Sequence, residues 1–308
     1  MKVLLTGGYG FLGRYVHEKL INSGHETKIF RSKEYDLRNM DETLKLIDTY
    51  KPDAVIHLAA TVGGIGANMK NPGVYFYDNM VMGLNLIESS RIVGINKFVQ
   101  VGTVCSYPKY CAVPFREDDI WEGYPEETNA PYGVAKKALY VMLDAYKKQY
   151  NFNSTIIVPC NLYGPGDNFN PDSSHVIPAL IKKIVEAKNY GDNSIECWGT
   201  GRATREFLYV DDAADAIVDS LNVTTDTIPI NVGTGYDITI SDLVIKITKA
   251  VDYDCGIHWD VSKPDGQPRR MLDISRAKNI LGWKPKTSLD DGLRKTVEWY
   301  YDHQNART

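Results

Sequence analysis

The chain of 308 residues has no CxxC pair, no basic surplus and no long apolar run, and each absence removes a class of function. Its five cysteines are Cys105, Cys111, Cys160, Cys197 and Cys255. An odd count without metal-ligand spacing argues against a disulfide framework and against a zinc site. No metal is therefore expected. No apolar stretch approaches the roughly 18 residues needed to cross a bilayer. The opening run, Met1 to Gly7, is too short for a signal peptide and reads as a strand. The expected compartment is the reduced cytoplasm. Basic residues number 35 against 39 acidic, a formal net charge of -4. That balance argues against nucleic acid or an anionic membrane as partner. A few local arginines can still hold a small anion.

What is present is an alternation of short β-rich runs and helix-length segments. Lys2 to Thr6 is a compact apolar strand, followed by a glycine turn and a helical pattern from Phe11 to Ser23. Gly24 ends that helix, and His25 to Phe30 reads as the next strand. Ala54 to Leu58, Phe98 to Val101 and Thr155 to Val158 are further strands. Helical stretches run from Tyr75 to Val93 and from Tyr132 to Lys148. The alternation predicts an α/β fold: a Rossmann-type, doubly wound parallel sheet, with ligands at the carboxyl ends of its strands. After about Gly164 the pattern loosens into Gly-, Pro-, Asn- and Asp-rich loops at Gly164 to Ser174 and Lys263 to Gln267, with helical segments at Val176 to Lys188 and Ser241 to Val251. We expect residues 1–164 to form a dinucleotide-binding domain. Residues 165–308 then form a smaller α/β substrate lobe that returns some segments to the main sheet.

Gly7, Gly10 and Gly13 fit G-x-x-G-x-x-G between a buried strand and a helix, with Phe11, Leu12 and Arg14 alongside. Such glycines let the backbone approach a pyrophosphate held at the helix N-terminus; the plainer alternative is an ordinary tight turn. At the end of the second strand an Asp or Glu would bind the ribose 2′-OH of NAD. Arg31 stands there instead, with Arg14 or Lys33 in support, and pairs with a 2′-phosphate. NADP(H) is the expected cofactor, with Asp36 and Leu37 near its adenine.

Tyr132 and Lys136 lie at i and i+4, one above the other on a helix face. A nearby ammonium lowers a phenol's pKa, and such a tyrosine passes a proton to or from a sugar oxygen while nicotinamide passes hydride. Thr103, just after the fourth strand, offers a hydroxyl to the same oxygen.

These features resemble an extended short-chain dehydrogenase/reductase. The narrower resemblance is to the GDP-L-fucose synthase family. It rests on Ala59 to Asn68, Cys105 to Lys109, Asn161 to Phe169, Ser174 to Leu180, Trp198 to Gly201 and Arg205 to Phe207, with the arginines near residue 270. The resemblance implies that Thr103, Tyr132 and Lys136 are the catalytic hydroxyl, phenol and ammonium. It implies that Cys105 and His175 are the base and acid of an epimerisation. Leu58, Ala59, Ala60, Pro159, Asn161, Leu162 and His175 are further implied cofactor contacts. Asn161, Val176, Leu180, Lys183, Trp198, Arg205, Asp265 and Arg270 are the implied nucleotide-sugar contacts. Two positions depart from the family's usual Ser and Ile, namely Val104 and Ser106, and both are expected to line the sugar pocket. Superfamily dehydratases carry an Asp–Glu pair after the hydroxyl residue; Val104-Cys105 stands there, which argues against dehydration.

The implied activity is C3/C5 epimerisation and C4 reduction of GDP-4-keto-6-deoxy-D-mannose to GDP-L-fucose. The alternative is a C4 reductase on a related GDP- or dTDP-linked 4-keto-deoxyhexose or heptose. A non-catalytic cofactor sensor would have lost Tyr132 or Lys136, and both are present. The family also implies a homodimer through the two long helices.

Overall fold

The computed structural model describes residues 1–305 except 64, 172, 225, 226 and 264, and leaves the side chains of 65, 67, 304 and 305 undescribed. Gly64 of the Ala59–Asn68 block and residue 264 of the 263–267 loop therefore fall outside the described residues.

The first half runs β1 (Lys2–Thr6), α1 (Phe11–Asn22), β2 (Glu26–Lys28), α2 (Met40–Tyr50), β3 (Ala54–His57), α3 (Ile65–Lys70), α4 (Pro72–Val93), β4 (Lys97–Val101), α5 (Ala130–Tyr150), β5 (Ser154–Pro159) and β6 (Asn161–Tyr163). The second half runs α6 (Val176–Tyr190), β7 (Ser194–Trp198), β8 (Thr204–Tyr209), α7 (Val210–Asp219), β9 (Pro229–Val232), β10 (Asp237–Thr239), α8 (Ile240–Val251), β11 (Gly256–Asp260) and α9 (Leu289–Asn305). The main sheet is parallel, in the order β2-β1-β3-β4-β5-β9. The chain moves outward from β1 to β2, then returns to β3 on the other side of β1. The crevice at that reversal is where such sheets bind ligands.

Val3, Leu4 and Leu5 of β1, Val55 and Ile56 of β3, and Ile156 to Val158 of β5 are fully buried, as continuous apolar runs in a two-sided parallel sheet must be. The second strand is shorter than the sequence suggests. After Lys28 the chain leaves the ladder, packing Ile29 over Gly8 and burying Phe30. Gly24 ends the first helical unit with φ of +77°.

Two small sheets occupy the second half: β10-β8-β6, and the parallel pair β11-β7. A separate core gathers under α6, α8 and α9, including Ile181, Ile184, Leu243, Ile247 and Leu293. β9, although late in sequence, belongs to the main sheet beside β5. The two halves are tied at α1. Arg14 donates to the Gly166 carbonyl (3.0 Å), Tyr15 to the Pro165 carbonyl (2.9 Å), and Lys19 pairs with Asp211 and Asp215.

Candidate active site

The glycine turn is built for a close neighbour. Gly7 has φ of +70°, and a Cβ there would meet the Ala59 backbone nitrogen at 2.8 Å. A Cβ at Gly13 would lie 2.0 Å from the Gly7 carbonyl oxygen. α1 begins at Gly10 with no side-chain cap and no acidic residue in its first turn. Its N-terminal N–H groups and partial positive charge are left for an anion, which fits a dinucleotide pyrophosphate. Leu58, Ala59 and Ala60 follow β3 as the half-buried opposite wall, and the Ala59 N–H donates to the Thr6 hydroxyl (3.1 Å).

Arg31 is exposed and its guanidinium lies 4.1 Å from the centre of the Tyr9 ring, so the glycine turn itself orients it. Lys33 is exposed in the next turn. Arg14 is engaged with Gly166 instead of supporting Arg31. Asp36 is paired with Arg38 at 2.8 Å, and those hydrogen bonds hold its carboxyl below the ordinary range. Leu37 is buried, and its carbonyl accepts from Asn85 (2.9 Å). Phe11 and Leu12 are half-buried at the start of α1, as is Leu162 in β6, while Pro159 is buried at the end of β5.

The catalytic candidates converge on the carboxyl end of β4. Thr103 caps the short 3₁₀ turn Val104–Ser106, its hydroxyl accepting from the Cys105 N–H at 3.1 Å. That turn packs directly on α5, because Gly133 has no side chain: a Cβ would sit 2.2 Å from the Cys105 carbonyl oxygen. Tyr132 is thereby brought toward Thr103, whose hydroxyl eases the phenol's ionisation. Lys136 is 1% exposed; its Nζ lies 5.9 Å from the Tyr132 ring centre and donates to the Val101 carbonyl at 3.3 Å.

The sequence suggests that Lys136 lowers the Tyr132 pKa. In the structure the phenol's pKa is raised, first by burial and then by the Cys105 and Tyr140 charges, with the Thr103 hydrogen bond only partly offsetting them. Burial likewise brings Lys136 down to about 8. Desolvation outweighs the ammonium, so Tyr132 is fully protonated at neutral pH. Val104 and Ser106 are also not where the sequence suggests. Both are buried, Ser106 hydrogen-bonding Tyr140 (3.3 Å) and the Gly133 carbonyl (3.4 Å). Ser106 anchors the turn to α5.

Cys105 is half-buried, and its charge reaches both Tyr132 and Arg205. His175 is the N-cap of α6, and its imidazole makes no capping bond. It is exposed, yet protein atoms crowd it and desolvation lowers its pKa. An accessible side chain on a cleft wall has both properties.

Arg205, on β8, donates to the Thr204 (2.7 Å), Gln267 (2.6 Å) and Asp265 (3.2 Å) carbonyls. Burial and then the like charge of Arg270 bring it down to about 10. Arg270 donates to the Gln267 side chain (2.6 Å). Two guanidiniums held mainly by neutral groups make a seat for an anion. Asp265 is occupied by the Thr200 N–H and hydroxyl, both at 2.7 Å, which folds the Gly199–Gly201 turn onto it. Trp198 is 63% exposed, with the Lys263 ammonium 5.5 Å from its ring centre. Val176 is half-buried, Leu180 is buried, and Lys183 is tied to the Glu196 carbonyl at 3.0 Å. Asn161 donates to the Glu206 carbonyl (2.8 Å) beside β8.

Several residues of this site are missing from the sequence reading. Tyr140 receives the Thr103 N–H (3.2 Å), and Gly102 leaves room for its hydroxyl. Its spacing, i+4 beyond Lys136, is the signal that could have found it. Glu126 lies within charge reach of Arg205 and Arg270, and Tyr9 and Arg38 border the candidate adenine end. Nothing in the local pattern marks these three. Among the described residues the closest carboxylate cluster is Asp211, Asp212 and Asp215. Lys19 and Lys286 pair with Asp215, and the Lys286 and Thr287 N–H groups bond Asp212.

The parallel sheet, the glycine turn and the tyrosine–lysine helix define a class: Rossmann-type oxidoreductases of the short-chain kind. The model of the NAD dependent epimerase/dehydratase family matches residues 3–233, and the chain belongs to that family. It is 40% identical, over 96% of its length and 94% of the relative, to a GDP-L-fucose synthase of Sinorhizobium fredii. Among solved structures, a GDP-L-fucose synthetase from Naegleria fowleri bound to NADP superposes with a TM-score of 0.89 at 29% identity, covering 99% of this chain and 93% of that one. A GDP-6-OMe-4-keto-L-xylo-heptose reductase from C. jejuni gives 0.90 at 29% identity, covering 98% of each chain.

Proposed function

We propose that this protein is an NADP(H)-dependent oxidoreductase that converts GDP-4-keto-6-deoxy-D-mannose to GDP-L-fucose by epimerising C3 and C5 and reducing C4. The observation that carries the reading is Tyr132, buried and protonated beside Thr103 and Lys136, with Cys105 on the turn that Thr103 caps and Arg205 within reach of its charge. The glycine turn, the uncapped start of α1 and Arg31 would hold the cofactor, which supplies hydride when bound. Residues 1–164 carry that half of the task, and 165–308 the nucleotide sugar, with Arg205 and Arg270 on the diphosphate and Trp198, Lys183 and Asp265 toward the base.

The C4 ketone acidifies the hydrogens on C3 and C5. Tyr132 and Thr103 hydrogen-bond the C4 oxygen and stabilise the enolate that forms. Cys105 takes the proton as thiolate, and His175 returns one to the opposite face. His175's lowered pKa makes it the stronger acid but shrinks its protonated fraction at neutral pH. In the final step the C4 oxygen gains negative charge, and Tyr132 supplies its proton. A high phenol pKa suits that direction, because the acid form is always populated.

The second reading, C4 reduction alone, is favoured by the heptose reductase likeness. Incubation with GDP-4-keto-6-deoxy-D-mannose and NADPH in deuterated water separates the two. Mass spectrometry is expected to find solvent deuterium at both C3 and C5 of the product. A reduced product with none at either carbon would leave the reductase reading alone standing. Among the described residues no helix is long and apolar enough to cross a membrane.

A further inference from the structure

The segment from Asp265 to Asp273 passes between the two lobes and is fastened by its backbone on both sides. Thr204 of β8 donates to the Pro268 carbonyl (2.9 Å) and accepts from the Arg270 N–H (3.3 Å). Phe115, from the first half, donates to the Met271 carbonyl (2.7 Å) and accepts from the Asp273 N–H (2.9 Å). The Leu272 N–H is taken by the buried Glu206 carboxylate (2.7 Å). Gln267, near the start of this segment, is only 6% exposed. That is deep for a long amide in a loop, since glutamine is mostly a surface residue. A buried amide is kept where its hydrogen bonds are satisfied.

Its partners account for the burial. The amide nitrogen donates to the Lys109 carbonyl at 2.7 Å, 158 residues away in sequence, and the amide oxygen accepts from Arg270 Nε at 2.6 Å. Lys109 lies four residues past Cys105, and its own N–H is held by the Tyr124 carbonyl (2.9 Å). A guanidinium only donates and a carbonyl only accepts, so the two neighbours fix which end of the amide faces which. A carboxylate could not donate to Lys109, and an aliphatic chain could serve neither. The Gln267 backbone carbonyl accepts from Arg205 Nη1 at 2.6 Å. Gly266, with φ of +73°, lets Arg205 lie alongside, since a Cβ there would be 3.2 Å from Nη2. One residue therefore holds both guanidiniums. With Nε engaged, the plane of Arg270 is set, and its paired Nη groups are the end that can meet an oxyanion two-handed. The like charge of Arg205 pushes against this half-buried side chain, which untethered would swing toward water.

We propose that Gln267 is a positioning residue for Arg270, its amide aiming the guanidinium at the diphosphate of the nucleotide sugar and tying that seat to the loop that follows Cys105. The inference rests on the reading of Arg270 as a diphosphate contact. Backbone bonds already fasten the segment on both sides, so what the side chain adds is the aim of Arg270. Its Lys109 end keeps the seat in register with the turn that bears Cys105. Among the described residues no carboxylate hydrogen-bonds Arg270. Glu126, whose charge reaches it, is bonded instead to Thr128 (2.6 Å) and Asn129 (2.7 Å).

The test is a double-mutant cycle on the full chain saturated with NADP⁺. It uses Gln267→Met, which keeps the length and removes both side-chain hydrogen bonds, Arg270→Met, and the two together. GDP affinity is measured by calorimetry, beside kcat and KM for the 4-keto sugar. Gln267→Met is expected to weaken GDP and raise KM about fivefold to tenfold, with kcat within about threefold. In the Arg270→Met background the same change is expected to cost less than about twofold, because a residue acting through Arg270 loses its effect once Arg270 is gone. Where Arg270→Met weakens GDP, a folded Gln267→Met at the parent affinity, or effects that multiply, would overturn the proposal. Gln267→Glu decides the matter should the methionine variant fail to fold. Its carboxylate pairs with Arg270 and competes with the diphosphate, so GDP is expected to weaken at least about tenfold; parent affinity would sink the idea equally. If Arg270→Met binds GDP as the parent does, the diphosphate reading falls. Hydrogen exchange of the Arg270 Nε–H, its NMR signal assigned by loss in Arg270→Met, then tests the positioning claim by itself: faster exchange in Gln267→Met supports it, and an unchanged rate overturns it.

Discussion

Lys136 shows at the scale of one residue what burying the proposed catalytic ammonium costs the fold. Its ammonium is removed from water, and burial brings its pKa down from the ordinary lysine value to about 8. Below pH 8 the amine is charged both folded and unfolded, so the folded state carries the full desolvation penalty. Between pH 8 and about 10.5 the unfolded chain binds the extra proton, and the penalty fades as pH rises. Lys136→Met is therefore expected to be more stable than the parent at pH 7, by on the order of 2 kcal/mol, and inactive as a reductase. The gain should shrink steadily above pH 8. Chemical denaturation at pH 7 and pH 10 checks this; a variant less stable than the parent at pH 7 would overturn it. The tyrosine–lysine pair was legible in the sequence because four-residue spacing is set by the helix alone. The direction of the tyrosine's pKa was not, because it depends on how deeply α5 is buried.

At the scale of elements, the site is a contact between two pieces that are far apart in sequence. The Val104–Ser106 turn and the first turn of α5 meet through Gly133. Gly133→Ala is expected to push the turn and Cys105 off Tyr132. Turnover should then fall at least about tenfold while NADPH binding changes far less. Steady-state kinetics and cofactor fluorescence check it, and full turnover in a folded variant would show that the turn is not held by this contact. The long helices were legible, and the structure extends them by only a few residues at their ends. The shortening of β2 was not, because Ile29 leaves the ladder to fill the space over Gly8. The burial of Val104 and Ser106 was not legible for a related reason: position beside a candidate catalytic residue does not tell which way a 3₁₀ turn points its side chains.

At the scale of the whole molecule, α4 and α5 cover one face of the sheet and leave an apolar outer surface. Val74, Phe76, Tyr77, Leu84 and Ile92 of α4 and Val141 and Tyr150 of α5 are exposed. Large exposed apolar patches mark association surfaces. We expect a homodimer through these helices, with a light-scattering mass of twice the 34.6 kDa chain. A mass of one chain at micromolar concentration would overturn it.

The sequence alone determined the elements whose signals are local. The buried strand, the glycine turn, the helix behind it, the tyrosine and lysine one turn apart and the arginine that replaces an acid after β2 are each set by a short run of neighbouring residues. Short-range sterics and side-chain period decide such features. Only the tertiary structure decided which residues share an environment. It placed β9 beside β5, set Arg205 against Arg270, sent Arg14 to Gly166, and lined up Thr6, His57 and Gln100 across three strands. Those pairings join segments separated by up to 152 residues, and no local pattern encodes them; burial and hydrogen-bond satisfaction across the closed sheet do.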